Sequence, residues 1–217
     1  MVDVTWLGHA CFLLRGEAKR LIFDPFKGIG LPEPTEKADI ILCSHSHSDH
    51  NNVKAVRYEK SVIVEGFAGK KQVDDLSIRG IAAYHDTAQG GQRGKNFIYA
   101  VRFENIMFCH LGDLGHELSQ SQVDEIGAVD VLFIPIGGFY TIGPQQARKV
   151  MESIKPKITV PMHYRLPGMS ATFNALSSVE DFIRRDDNVK RLDGPSFTIG
   201  RTDLQEKAVI IIPKLGR

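Results

Sequence analysis

Residues 43–52 read CSHSHSDHNN, which places His45, His47, Asp49 and His50 within six positions, spaced mostly by serine. On an extended backbone, residues two apart project to the same side, so His45 and His47 can grip one cation. Asp49 and His50 follow on the turn beyond and can face a second cation close by. Imidazole and carboxylate donors suit zinc, and also manganese or iron. Each ion still needs a further protein donor, and the pair needs a bridge. His85 and His163 are the neutral donors available downstream. Asp113, in the tight HLGDLG of residues 110–115, is the carboxylate placed to bridge, with Gly112 and Gly115 letting the backbone turn closely. A bare cluster of that polarity is costly to bury, and two divalent ions offset the cost.

These side chains need elements that bring them together. Four β-like runs end just before four polar clusters: 38–43 before His45, 76–83 before His85 and Asp86, 106–109 before His110 and Asp113, and 158–161 before His163. The run ADIILC at 38–43 is apolar enough for a central strand covered on both faces. Loops at the C-terminal ends of strands are where α/β proteins build sites, so four strands sharing one edge would make the clusters converge. Further strands are expected at 2–7, 11–15, 20–23, 61–65, 96–103, 129–134, 196–199 and 208–212. Helices are expected at 119–126, at 144–154 with Pro144 in its first turn, and at 179–185. The chain therefore reads as α/β (α+β), sheets sandwiched by helices, in one domain over 1–217 with no linker.

Composition narrows the classes. Hydrophobic residues make up 42% and charged residues 24%, an ordinary soluble balance. A net charge of +1 weighs against long nucleic acid as a partner. No apolar run approaches the roughly 18 residues of a membrane span, and MVDVTWLGHA lacks the pattern of a signal peptide. Cys11, Cys43 and Cys109 are odd in number and sit among apolar residues, as reduced thiols of a cytoplasmic protein would. The expected partner is a small-molecule substrate, with no membrane; a homo-oligomer is left open.

HSHSDH resembles the HxHxDH signature of the metallo-β-lactamase superfamily of hydrolases. His85, Asp113 and His163 resemble that superfamily's third, fourth and fifth motifs in order and spacing, and Asp24 in LIFDPF resembles its first-motif aspartate. The resemblance implies a four-layer αβ/βα sandwich with a dinuclear site at one edge. WLGHACF, HDTAQGGQRGKN, HLGDLG and YTIGP further resemble small bacterial or archaeal metal-dependent hydrolases related to L-ascorbate-6-phosphate lactonase. Departures from other branches are informative. The zinc β-lactamases carry a cysteine where this chain has Asp113. Flavodiiron proteins carry a glutamate where His47 stands. No segment looks able to host the arm of the tRNA-processing members or the inserted domain of the nucleases.

The remaining residues take supporting parts in this reading. Asp24 and His9 are expected to orient ligands. His110 is either such a support or a catalytic contact, and Asp49 is both ligand and catalytic. Arg93 and Lys95 are expected to bind an anionic substrate group, Tyr140 to shape the pocket, and His116 to lie at the surface. The expected chemistry is hydrolysis by a hydroxide bridging two divalent ions, zinc first and manganese or iron otherwise. A small lactone or ester, phosphorylated or not, is the first substrate class, chiefly from the lactonase resemblance. A phosphodiesterase or nuclease of the same fold is the alternative. A metal-binding or sensing protein without turnover is the second.

Overall fold

Alternating apolar residues at the N-terminus fold as β1 (Val2–Gly8), β2 (Cys11–Arg15) and β3 (Arg20–Phe23), followed by β4 (Ile40–Cys43) and β5 (Val62–Glu65). The computed structural model describes residues 1–216 apart from Asp75, Asp186 and Glu206. With β13 (Ser196–Ile199) these strands form a six-stranded sheet in the order β13-β1-β2-β3-β4-β5. A second sheet has eight strands: β6 (Gly69–Val73), β7 (Leu76–Tyr84), β8 (Lys95–Phe103), β9 (Ile106–His110), β10 (Val131–Pro135), β11 (Ile158–Met162), β12 (Val189–Arg191) and β14 (Val209–Ile212). Their order is β12-β14-β11-β10-β9-β8-β7-β6.

The period-2 alternation decides which core each residue joins. Phe12, Leu14, Leu21, Phe23, Ile40 and Leu42 face the second sheet and fill the main core. Their neighbours Cys11, Leu13, Ile22, Ile41 and Cys43 fill a smaller core on the opposite face. Phe133 of β10 stacks on Phe12 at 3.9 Å between ring centroids and meets Phe23 edge-on at 5.9 Å. Deleting such a buried ring costs about 3–5 kcal/mol.

Helix α2 (Gln120–Ile126) packs on β7, and α3 (Pro144–Ile154) packs on β10. Ser119 caps α2, accepting from the amide of Gln122. The outer face of the six-stranded sheet is covered more thinly. Val56 of the single-turn α1 (Val53–Val56), Phe26, Ile29 and Phe173 close the smaller core there. The four-layer expectation thus holds as a two-sheet sandwich whose outer layer on one side is mostly loop. The helix expected at 179–185 is corrected to a short 3₁₀ turn, Val179–Asp181, because Ser178 takes the cap and only a turn follows.

Direction is what matters for function. Strands β1 and β3 each run antiparallel to β2, and β3, β4 and β5 are parallel. Strands β7 and β9 each run antiparallel to β8, and β9, β10 and β11 are parallel. So β1, β3 and β4 end at one edge of their sheet, and β7, β9 and β11 end at one edge of theirs. The sites just beyond those ends are His9, Asp24, His45, His85, Asp113 and His163.

Candidate metal centre

Three of these strand-end residues, His9, Asp24 and His163, have φ of +52°, +42° and +51°. Left-handed backbone costs a residue with a side chain about 1–2 kcal/mol, and Asp and His tolerate it better than most. The strands thus end in abrupt turns that aim side chains inward. The HLGDLG turn is equally tight. A Cβ on Gly112 would run into Asn96 and Ser44, and one on Gly115 into the backbone of His85 and Asp86. Buried Asn96 clamps this turn, donating to Leu111 O at 2.8 Å and accepting from the Asp113 amide at 2.9 Å.

The donors fall into two groups, with a third set, Asp24, His45 and His50, running between them. Ligand atoms of His45, His47 and His85 lie within 4.8 Å of one another, and so do those of His9, Asp49, His50 and His163. Asp113 joins them. Its Oδ2 lies 3.1 Å from His50 Nε2, 3.1 Å from His85 Nε2, 3.3 Å from His163 Nε2 and 4.0 Å from His45 Nε2. All seven residues expected as ligands are therefore gathered at one place.

Asp24 fixes two of the imidazoles. Its carboxylate accepts from the Ser44 amide at 2.7 Å and the Ser44 hydroxyl at 2.6 Å. It also faces His50 Nδ1 at 2.9 Å. His50 donates through Nδ1, which turns Nε2 toward Asp113. The Ser44 hydroxyl proton is engaged by Asp24, so its oxygen accepts from His45 Nδ1 at 2.9 Å. That leaves His45 Nε2 free as a lone-pair donor, the arrangement by which carboxylates orient metal-binding histidines.

The electrostatics show what the cluster lacks. Burial alone would raise the Asp113 carboxyl, but His163, His50 and His85 outweigh it and hold the group well below its usual range. Burial would lower His50, yet the Asp113 and Asp24 carboxylates raise it well above its ordinary value; His85 is raised by Asp113 against the same burial. His45 falls to about 3, through burial and then the His50 charge, and His9 to about 4, through burial and then His163. Yet His9 Nδ1 and Nε2, His45 Nε2, His50 Nε2, both ring nitrogens of His163 and Asp113 Oδ1 are buried with no hydrogen-bond partner. Buried polar atoms are rarely left so. Atoms that need partners and face one another fit a divalent cation, and histidine with carboxylate fits zinc, manganese or iron.

His110 is corrected from catalytic candidate to support. Its Nδ1 accepts from the Gly112 amide at 3.1 Å, and its Nε2 donates to Ala10 O at 2.8 Å. Its ring lies flat on Phe23 with centroids 4.8 Å apart. With both nitrogens engaged and no exposure, it holds the turn that carries Asp113. His116, expected at the surface, is half-buried and accepts from the Tyr84 amide at 3.2 Å, closing the end of β7.

A cavity of about 370 Å³ opens onto the cluster, lined among others by His47, Asp49, His85, Asp113, Arg93 and Tyr140. The Arg93 guanidinium sits over the Tyr140 ring, 5.6 Å from its centroid. Asp86 holds the loop that carries Arg93, accepting from the amides of Ala88, Gly90, Gln92 and Arg93 at 2.7–3.0 Å. Burial would raise this carboxyl, but the four amides together hold it below its usual value. Lys95 is corrected: it begins β8 opposite Tyr84, is exposed, and does not line the cavity, whereas its neighbour Asn96 is buried. Lys27, which the sequence reading did not single out, does line it. A larger hollow of about 540 Å³ beside α3 holds Lys155, Lys157 and Asp187 but none of the gathered donors, so it is not the centre of the chemistry.

Residues 3–163 match the family model for a beta-lactamase superfamily domain. A UPF0173 metal-dependent hydrolase of Archaeoglobus fulgidus is 33% identical, the match covering 75% of this chain and 83% of that protein. Another, from Thermococcus kodakarensis, is 32% identical over 76% of this chain and 85% of its own length. Among solved structures, a Thermotoga maritima protein assigned as a Zn-dependent hydrolase of the metallo-beta-lactamase superfamily is 34% identical. It superposes with a TM-score of 0.82 over 98% of this chain and 99% of that one.

Proposed function

This chain belongs to the metallo-β-lactamase superfamily of metal-dependent hydrolases, and from that we propose that it hydrolyses a small anionic lactone or ester at a two-metal centre. Zinc is the first choice of metal, manganese or iron the next. His45, His47 and His85 would hold one ion, Asp49, His50 and His163 the other, and Asp113 both. The observation that carries this reading is Asp113 Oδ2 within 3.1–3.3 Å of His85 from one group and of His50 and His163 from the other. Divalent ions there supply Lewis acidity, making a nucleophile from water near neutral pH and polarising the substrate oxygen.

The chain's own residues supply the rest. Asp49 reaches the cavity, and although burial would raise its carboxyl, the His9 and His50 imidazoles hold it ionised. A carboxylate held that far below its usual value is a weak base, so its part is to orient the attacking water by accepting a hydrogen bond from it. Arg93 has no carboxylate partner among the described residues and stands on the cavity wall, stacked on Tyr140. A preset guanidinium of that kind suits a carboxylate or phosphate on the substrate. Lys27 adds positive charge to the same cavity. The volume of about 370 Å³ supports a small molecule as substrate. Buried free Cys11, Cys43 and Cys109 support a reducing, cytoplasmic setting.

The test is a paired assay on zinc- or manganese-loaded protein with a chelator-treated control. It follows acid release from sugar-phosphate lactones beside cleavage of a chromogenic phosphodiester. Metal-dependent lactone opening that outpaces the phosphodiester is expected. The reverse order would move the protein to phosphodiesters.

A further inference from the structure

His9 was expected only to steady its neighbours, yet its surroundings are those of a ligand. It is fully buried, and neither ring nitrogen has a hydrogen-bond partner. Its Nε2 lies 3.4 Å from Asp49 Oδ2. That is longer than the usual 2.7–3.2 Å or so of an N–H···O bond. It matches the separation of two donors on one ion, roughly 3.0–3.5 Å when each bond is about 2.0–2.2 Å. The neighbouring contacts that Asp113 makes with His50, His85 and His163 fall in the same interval, at 3.1–3.3 Å. The His9 ring lies 4.1 Å from that of His163 and 5.0 Å from that of His50.

The turn that delivers His9 is built for the purpose. Gly8 has φ +109°, and a Cβ there would press on Leu31, Leu215 and Phe26. His9 itself has φ +52°. Its carbonyl accepts from Trp6 Nε1 at 3.0 Å and from the His163 amide at 3.2 Å, so the turn is pinned to the strand end that carries His163. Phe26 and Phe173 meet the ring edge-on at 6.2 and 5.4 Å and leave it no other polar neighbour on those sides. Nδ1 of this fully desolvated imidazole has no partner and Nε2 has only the Asp49 carboxylate, too far for a good hydrogen bond, which is costly unless something binds the ring.

We propose that His9 is a direct protein ligand of the deeper ion, giving that ion His9, Asp49, His50 and His163 beside the shared Asp113. The inference rests on the two-metal reading above and adds a third imidazole to one of its ions. The deeper ion would then sit among three buried imidazoles and meet the cavity only on its Asp49 side, and the ion at His45, His47 and His85, where His47 is exposed, would be the more open to substrate.

The full-length protein, loaded with cobalt(II), tests this by proton NMR, in which each bound imidazole N–H gives its own paramagnetically shifted, exchangeable signal. His9, His50 and His163 with His45, His47 and His85 predict six signals. His9→Asn, whose residue tolerates the left-handed turn, should remove one signal and weaken the second equivalent of metal at least tenfold while leaving the first unchanged. His9→Gly should do the same, and melting of the metal-free variants checks that each is folded. Five signals in the wild type, unchanged in His9→Asn, with two ions still bound at wild-type affinity, would overturn the inference and leave the two-metal reading intact. Binding of a single ion by the wild type would overturn both.

Discussion

The two donor groups that share Asp113 are built differently. His47 stands exposed at the mouth, with His85 beside it on the cavity wall, although His85 and His45 are themselves buried. His9, His50 and His163 lie deeper, each almost wholly buried, two of them on left-handed turns and the third fixed by Asp24. The mouth group is steadied by Ser44 through a single hydrogen bond to His45. The contrast teaches a division of labour. On the two-metal proposal, the deep group would use strain and burial to fix a cation, and the mouth group would keep a face open for a substrate beside Arg93 and Lys27 on the cavity wall.

The variant that should break this contrast most completely is Asp113→Asn, since Asp113 touches both groups. Activity should fall by roughly two to three orders of magnitude or more, and metal retention should fall in both groups. Full activity in that variant would remove the shared-bridge account. Asp24→Asn should separate the groups instead. It deprives His50 of its orienting carboxylate, and metal affinity should fall about 10–100-fold, as it does when such partners are removed elsewhere. Titration with zinc should show the loss in the deep equivalent more than in the other. Equal losses would mean that Ser44, which shares Asp24, carries the effect into the mouth group.

Arg93→Ala should touch neither ion. It should raise KM for anionic substrates roughly 10–100-fold, the worth of a charge-assisted hydrogen bond, and leave metal stoichiometry unchanged. Uncharged esters compared in the same assay should respond far less. Protons sharpen the comparison further. Asp113 raises His50 well above its ordinary value in the metal-free protein, so it holds a proton that a metal must displace, and it raises His85 in the same direction. His45 and His9, near 3 and 4, are already neutral and release none. Metal affinity should therefore rise with pH through neutrality, and calorimetry in buffers of different ionisation enthalpy should record proton release on binding. Affinity independent of pH there would contradict these assignments. Lys95→Ala should change KM less than about twofold, because an exposed residue outside the cavity has little to give.

The sequence made the centre legible for a plain reason. Short apolar runs ended just before His45, His85, His110 and His163, and parallel strands in each sheet bring such ends to one edge. What escaped depended on three-dimensional closure. Asn96 clamps the Asp113 turn from a neighbouring strand, and a buried asparagine carries no signal in a linear reading. Lys95 looked equivalent to Arg93 until strand alternation sent it to solvent. Strands β6, with the sequence GKKQV, and β12, with VKR, were missed because edge strands carry charge in place of an apolar pattern. The 179–185 stretch has helical composition but packs only as a turn.

The measurement that bears most directly on the two-metal centre is anomalous diffraction from crystals of the zinc-loaded protein, collected on both sides of the metal edge. The account predicts two peaks flanking the Asp113 carboxylate, one among His45, His47 and His85 and one among His9, Asp49, His50 and His163. A single peak, or peaks away from Asp113, would contradict it.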